Sequence, residues 1–114
     1  MQPILLQKPK LLEKLSIFIN IGAITLYPFI ISKTRMHVFT YNHEKIHFKQ
    51  QEELWVLGFY PLYVGFWLYY RMRGFNSFDA YMMIPFEREA YAMQEILEYP
   101  DSRKRFAWLN YIKW

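Results

Sequence analysis

The spacing of hydrophobic residues changes along this chain, and each change marks a predicted element. Leu11, Leu12, Leu15, Ile17, Phe18 and Ile21 recur at helical spacing, so Pro9 to about Ile21 reads as an amphipathic helix ended by Gly22. Ala23 to Ser32 is rich in β-branched and aromatic residues and reads as a strand. Pro28 inside it has no amide proton for a ladder, which places the strand on a sheet edge. Lys33-Thr34-Arg35 makes a turn, and Met36 to Thr40 returns as a short partner strand. Such a hairpin either covers the core or uses its free edge, around Tyr27–Ile31, to hold an extended peptide by strand addition.

Helical spacing resumes at Asn42, the predicted N-cap of a helix starting at His43. His43, His47, Gln50, Gln51 and Leu54 fall on one face; Lys45, Lys49, Glu52 and Glu53 form the solvated one. Leu54 to Tyr70 is nearly uncharged. Its seventeen residues lie at the bottom of the membrane-spanning range, and Gly58, Pro61, Gly65 and four tyrosines argue instead for a buried or membrane-lying helix broken near Gly58–Pro61. Arg71 and Arg73 suit a snorkelling end. Gly74 to Ser77 is a turn, Phe78 begins a new element, and Pro85 opens a helix running to about Glu98, with Pro100 just beyond. From Asp101 to Trp114, basic and aromatic residues interleave as a basic amphipathic helix that packs on the domain, lies on a membrane or binds a partner. The whole reads as one domain, residues 1–114, mainly α with a small edge hairpin (α+β), its core about 23–98.

Composition narrows the chemistry. Cysteine is absent, so any metal must be held by His, Glu or Asp. Aromatic residues make up 21% of the chain, which suits a dense core, an interface or a membrane-surface belt. The net charge of +4 comes without a Lys/Arg stripe between exposed aromatics, so nucleic acid is not expected, whereas mild attraction to anionic lipid is. The apolar run Leu15–Ile31 is broken by Asn20, Gly22, Thr25 and Pro28 and has no clear small-x-small site after it. A cleaved signal peptide is therefore not expected, and the expected location is cytoplasmic or membrane-associated.

The candidate chemistry centres on His43-Glu44-Lys45-Ile46-His47. Histidines four apart on a helix share a face and can offer two imidazole nitrogens to one metal ion, and Glu44, about 100° round, can reach a water on that metal. Gln50 and Gln51 are placed to hydrogen-bond the ligands from behind. The helix after Pro85 supplies a third donor, Glu87 or Glu89. Glu87 shares a face with Tyr91, Gln94 and Glu98; Glu89 lies nearer Phe86, Met93 and Ile96, which slightly favours its burial.

Together, His43-Glu44-x-x-His47 and Glu87-Arg88-Glu89-Ala90 resemble the gluzincin metallopeptidases. From residue 23 to 98 the chain also looks like a small bacterial family with an Asn-His-Glu-x-Ile-His-x-x-Gln-Gln helix and a Phe-Glu-x-Glu-Ala-Tyr helix. The resemblance implies a compact zincin-like helical domain, Zn²⁺ on His43, His47 and Glu87, Glu44 as catalytic base, and a peptide or protein substrate. Tyr91 departs from the gluzincin pattern, which has an aspartate there to support a ligand histidine. Two rival readings stand beside this one: a non-catalytic metal-binding protein with the same ligands, and a membrane-surface interaction protein.

Overall fold

A computed structural model describes residues 2–10 and 23–114. Most of the helix predicted over Pro9–Ile21, and its Gly22 stop, lies outside the described residues. The architecture is mainly α with a small sheet, as the patterning implies. Strands β1 (Ile4–Gln7), β2 (Ala23–Leu26) and β3 (Phe29–Ser32) form a sheet in the order β1-β3-β2. β1 runs parallel to β3, with Ile4 opposite Phe29; β2 runs antiparallel to it, with Ala23 opposite Ser32. Helices α1 (Val38–Glu53), α2 (Phe59–Met72), α3 (Ser77–Met83), α4 (Pro85–Met93) and α5 (Tyr99–Ser102) follow, then a 3₁₀ turn over Ala107–Tyr111.

The stretch Ala23–Ser32 is a complete hairpin rather than one strand. Pro28 sits in its turn, after a cis Tyr27–Pro28 bond, where a missing amide proton costs no ladder bond. The partner of β2 is therefore β3, and Met36–Thr40 does not return as a strand. Those residues enter α1 instead: the His37 imidazole caps that helix, Nδ1 accepting from Phe39 N at 3.1 Å. Asn42 is consequently a mid-helix residue and not the N-cap. Its side-chain amide donates to Gln94 O at 2.8 Å and Ile96 O at 2.9 Å. These bonds satisfy carbonyls beyond the end of α4, and α4 stops at Met93 rather than near Glu98.

The break predicted near Gly58–Pro61 within a Leu54–Tyr70 helix lies earlier: Leu54–Gly58 is turn, and the helix starts at Phe59. Trp55 and Val56 both take left-handed backbone angles, and a Cβ at Gly58 would lie 2.7 Å from Leu54 O, so only glycine fits there. Pro61 is accommodated in the first turn of α2. The main apolar core, Phe59, Ile84, Phe86 and Trp108, joins α2, α4 and the 3₁₀ turn. The tail thus contributes Trp108 to the core instead of forming one amphipathic helix. No helix among the described residues is long and apolar enough to cross a membrane.

Candidate metal centre

Helix α1 presents His43 and His47 one turn apart, and α4 brings Glu87 to them from its first turn. Glu87 Oε1 lies 3.0 Å from each Nε2, and the two Nε2 atoms are 3.1 Å apart. All three residues are buried. A tetrahedral zinc ion with bonds of 2.0–2.1 Å holds neighbouring ligand atoms about 3.3 Å apart, so these three atoms fit such an ion after a shift of a few tenths of an ångström.

The outward nitrogens decide what the inner ones offer. Gln50 Nε2 donates to Phe86 O at 3.1 Å and Glu89 Oε1 at 2.9 Å, which turns Gln50 Oε1 towards His47 Nδ1 at 2.8 Å. An amide oxygen only accepts, so Nδ1 carries the proton. Gln94 Oε1 faces His43 Nδ1 at 2.9 Å in the same way. Two neutral imidazoles so arranged point bare Nε2 lone pairs at each other and at a carboxylate oxygen. Three converging lone pairs need a cation between them, whether proton or metal.

Without metal, a proton takes that role. Burial alone would lower the His47 pKa, but the Glu87 carboxylate outweighs it and pushes it up to about 9. Burial likewise opposes the Glu87 charge, yet the His47 charge and hydrogen bonds from both imidazoles hold it well below the ordinary carboxylate range. Tyr63 donates to the other Glu87 oxygen at 2.6 Å, and burial together with that carboxylate keeps its phenol protonated far above the usual range.

Glu44 is the competing carboxylate: its donor atom and those of His43 and His47 all lie within 4.8 Å of one another. It nevertheless reaches only to 4.0 Å from His43 Nε2, farther than Glu87, and its Oε1 lies 3.0 Å from the Thr25 hydroxyl on β2. Burial raises its pKa, with the two histidines pulling the other way. Glu89 does not enter the triangle. It is fully buried, as its position on the wheel favoured, but Arg103 claims it at 2.6 and 2.9 Å. The same guanidinium reaches Glu53 at 2.8 Å, so Glu53 belongs to the interior and not to the solvated face. Through Gln50, this buried ion triad is continuous with His47.

Tyr91 lies edge-on to the His43 ring with centroids 4.4 Å apart, and its hydroxyl meets Tyr81 at 2.8 Å. The support for His43 comes instead from Gln94, one of the residues on the Glu87 face. Gln51 plays a different part from Gln50. It donates to Thr25 O at 2.8 Å and accepts from Tyr27 N at 2.9 Å, closing the outer edge of β2 there. β3 is paired on both sides, so the Tyr27–Ile31 stretch has no free edge for a peptide. Ala23 and Ile24 of β2 border open space on both sides. Two cavities share these residues and Glu44 in their walls: one of mixed polarity and about 740 Å³, lined also by His43, Arg35, Tyr81 and Tyr91, and an apolar one of about 170 Å³, lined also by His47, Phe59, Tyr60 and Tyr63.

Sequence reasoning missed Tyr63, Thr25 and Arg103. Tyr63 is one of four tyrosines in an apolar run, Thr25 sits in a strand, and Arg103 lies among four tail cations, so nothing local set them apart. No family model matches the chain, and comparison with curated proteins and with solved structures gave no match either.

Proposed function

We propose that this protein is a zinc-dependent hydrolase of minimal gluzincin type that acts on peptide bonds, with His43, His47 and Glu87 as ligands. The observation that carries the reading is the convergence of three lone pairs from two helices, with both Nδ1 protons fixed from outside by glutamine oxygens. Zinc held there lowers the pKa of a water towards ~7 and polarises a carbonyl. Glu44, held by Thr25 between the two cavities, takes the proton of the attacking water and returns it to the leaving nitrogen. Its burial-raised pKa suits a group that must both accept and release a proton. Tyr63 fixes the Glu87 carboxylate so that Oε1 stays turned towards the imidazoles. A substrate chain entering beside Ala23–Ile24 would place side chains in the larger mixed cavity and the smaller apolar one on either side.

The test is digestion of a mixed peptide library by zinc-loaded protein, read by mass spectrometry. Glu44→Gln is expected to keep its zinc and lose roughly 10²–10⁴-fold in cleavage rate, the usual contribution of a general base. Undiminished cleavage by that variant would remove Glu44 from the mechanism. One observation favours a second reading, a metal-binding protein without peptidase activity: Gln51 closes the outer edge of β2 where a peptide would otherwise pair. Stoichiometric zinc with no cleavage of any peptide supports that reading.

A further inference from the structure

Helix α2 is apolar on the side that faces away from the core. It buries Phe59 and Tyr70, while Leu62, Val64, Leu68, Tyr69 and Met72 are exposed, Met72 to 88%. Arg71 is the one charged residue on that face. At the N-terminal end of the helix Trp55 and Leu57 are also exposed, to 85% and 79%. Trp114 lies over the outer face, its ring 6.3 Å from that of Tyr69, and with Pro61, Leu62 and Gly65 it borders a shallow groove of about 260 Å³. A helix apolar all round is normally covered on every side, and a surface patch of this kind marks an interaction site.

Charge selects the occupant. From Leu54 to Phe78 the sequence has Arg71 and Arg73 but no Asp or Glu. Arg71 lies over the Trp67 ring and Arg73 over the Tyr69 ring, each with its guanidinium carbon 5.7 Å from the centroid, which holds both cations at one end of the patch beside aromatic rings. Lys113 is anchored at the same end by the bond from the Tyr70 hydroxyl to its carbonyl. In a symmetric dimer each copy offers the same patch to the other, so these arginines would find no carboxylate from this segment of the second copy. Lipid headgroups supply the missing anions, and Trp and Tyr favour the headgroup boundary. We infer that the outer face of α2, with Trp55, Leu57 and Trp114, rests on an anionic membrane surface, lying in the interface rather than crossing it. The inference does not depend on the hydrolase reading.

Flotation of the full chain with phosphatidylcholine vesicles, with and without phosphatidylglycerol, tests it. Wild type is expected to float with the phosphatidylglycerol vesicles and to bind the neutral ones several-fold less. Leu68→Asp and Met72→Asp, at exposed positions and checked for folding by circular dichroism, should each cut the bound fraction roughly tenfold through loss of apolar contact. Arg71→Gln with Arg73→Gln should weaken binding about fivefold per charge. Wild type left in the lipid-free fraction, equal binding to neutral vesicles, or aspartate variants that float undiminished would each overturn the inference. A lipid-independent dimer that Leu68→Asp dissociates, seen by analytical ultracentrifugation of protein that does not float, would assign the face to a second copy and also overturn it.

Discussion

Helices α1 and α2 are neighbours in the chain and opposites in construction. Of the nine buried residues of α1, only Ile46 and Phe48 are apolar; the other seven, Asn42, His43, Glu44, His47, Gln50, Gln51 and Glu53, are polar or charged. In α2 the reverse holds, with leucine, valine and methionine side chains turned outward. An ordinary surface helix does neither, because burying polar groups costs free energy unless each is bonded and exposing apolar ones forgoes the gain of covering them. The inversions point to function in different ways. A polar interior whose groups are matched, down to the glutamine oxygens behind the imidazoles, is what the proposed metal site requires. An apolar exterior with an arginine end is what the inferred membrane contact requires.

If the polar interior of α1 is held by matched charges, breaking one match should be costly. Arg103→Met leaves Glu53 and Glu89 buried without a counter-charge, and unfolding by denaturant should show a loss of about 3–5 kcal/mol. A loss below ~1 kcal/mol would mean that water reaches the triad and that the interior is less closed than its burial implies.

Gln50→Leu is a subtler cut, because it keeps bulk while removing the acceptor behind His47 and the donor to Phe86 O and Glu89. Zinc affinity, measured by competition with a chromophoric chelator, should fall about 10–100-fold. An unchanged affinity would show that His47 needs no outside support.

The smallest effect is on pH dependence in the metal-free protein. The His47 pKa is raised from 6.5 to about 9, so the stability it gains from Glu87 is complete below pH 6.5 and lost as pH climbs through about 9. Glu87 is shifted down, so its side of the same pair is present above its ordinary pKa of 4.5 and lost only on acidification. Glu44, raised by burial, also loses stability as pH rises, so the melting series is best run in Glu44→Gln. Without the Glu44 charge the His47 pKa is raised less, but Glu87 still raises it. The melting temperature of the variant should therefore fall as pH rises above 6.5, and a flat profile there would contradict the His47–Glu87 pairing. Zinc affinity should move the other way, rising with pH as the His47 proton becomes easier to displace.

The sequence carried the parts of this site that follow from helical spacing. His43 and His47 had to share a face, and the pairing of their helix with a Glu-bearing one after Pro85 is what the structure displays. Gln50 behind His47 was legible for the same reason. Helical spacing alone did not choose between Glu87 and Glu89, and only the resemblance named Glu87, because burial on a wheel says nothing about which buried carboxylate meets Arg103. The hairpin was misread through Pro28, whose lack of an amide proton fits a turn as well as an edge. The start of α1 was misplaced because Asn42 is a good N-cap by type, while its amide is needed by carbonyls about fifty residues away. Long-range polar pairing decided each of these points, and local pattern does not report it.

The central claim is tested most directly by titrating zinc into wild type and Glu87→Ala side by side. One zinc per chain is predicted for wild type. In Glu87→Ala the affinity should drop by more than the roughly 100-fold that loss of an outer hydrogen-bond partner costs. Equal affinity in the two proteins, or no stoichiometric zinc in wild type, would contradict a site made where two imidazoles and the Glu87 carboxylate converge.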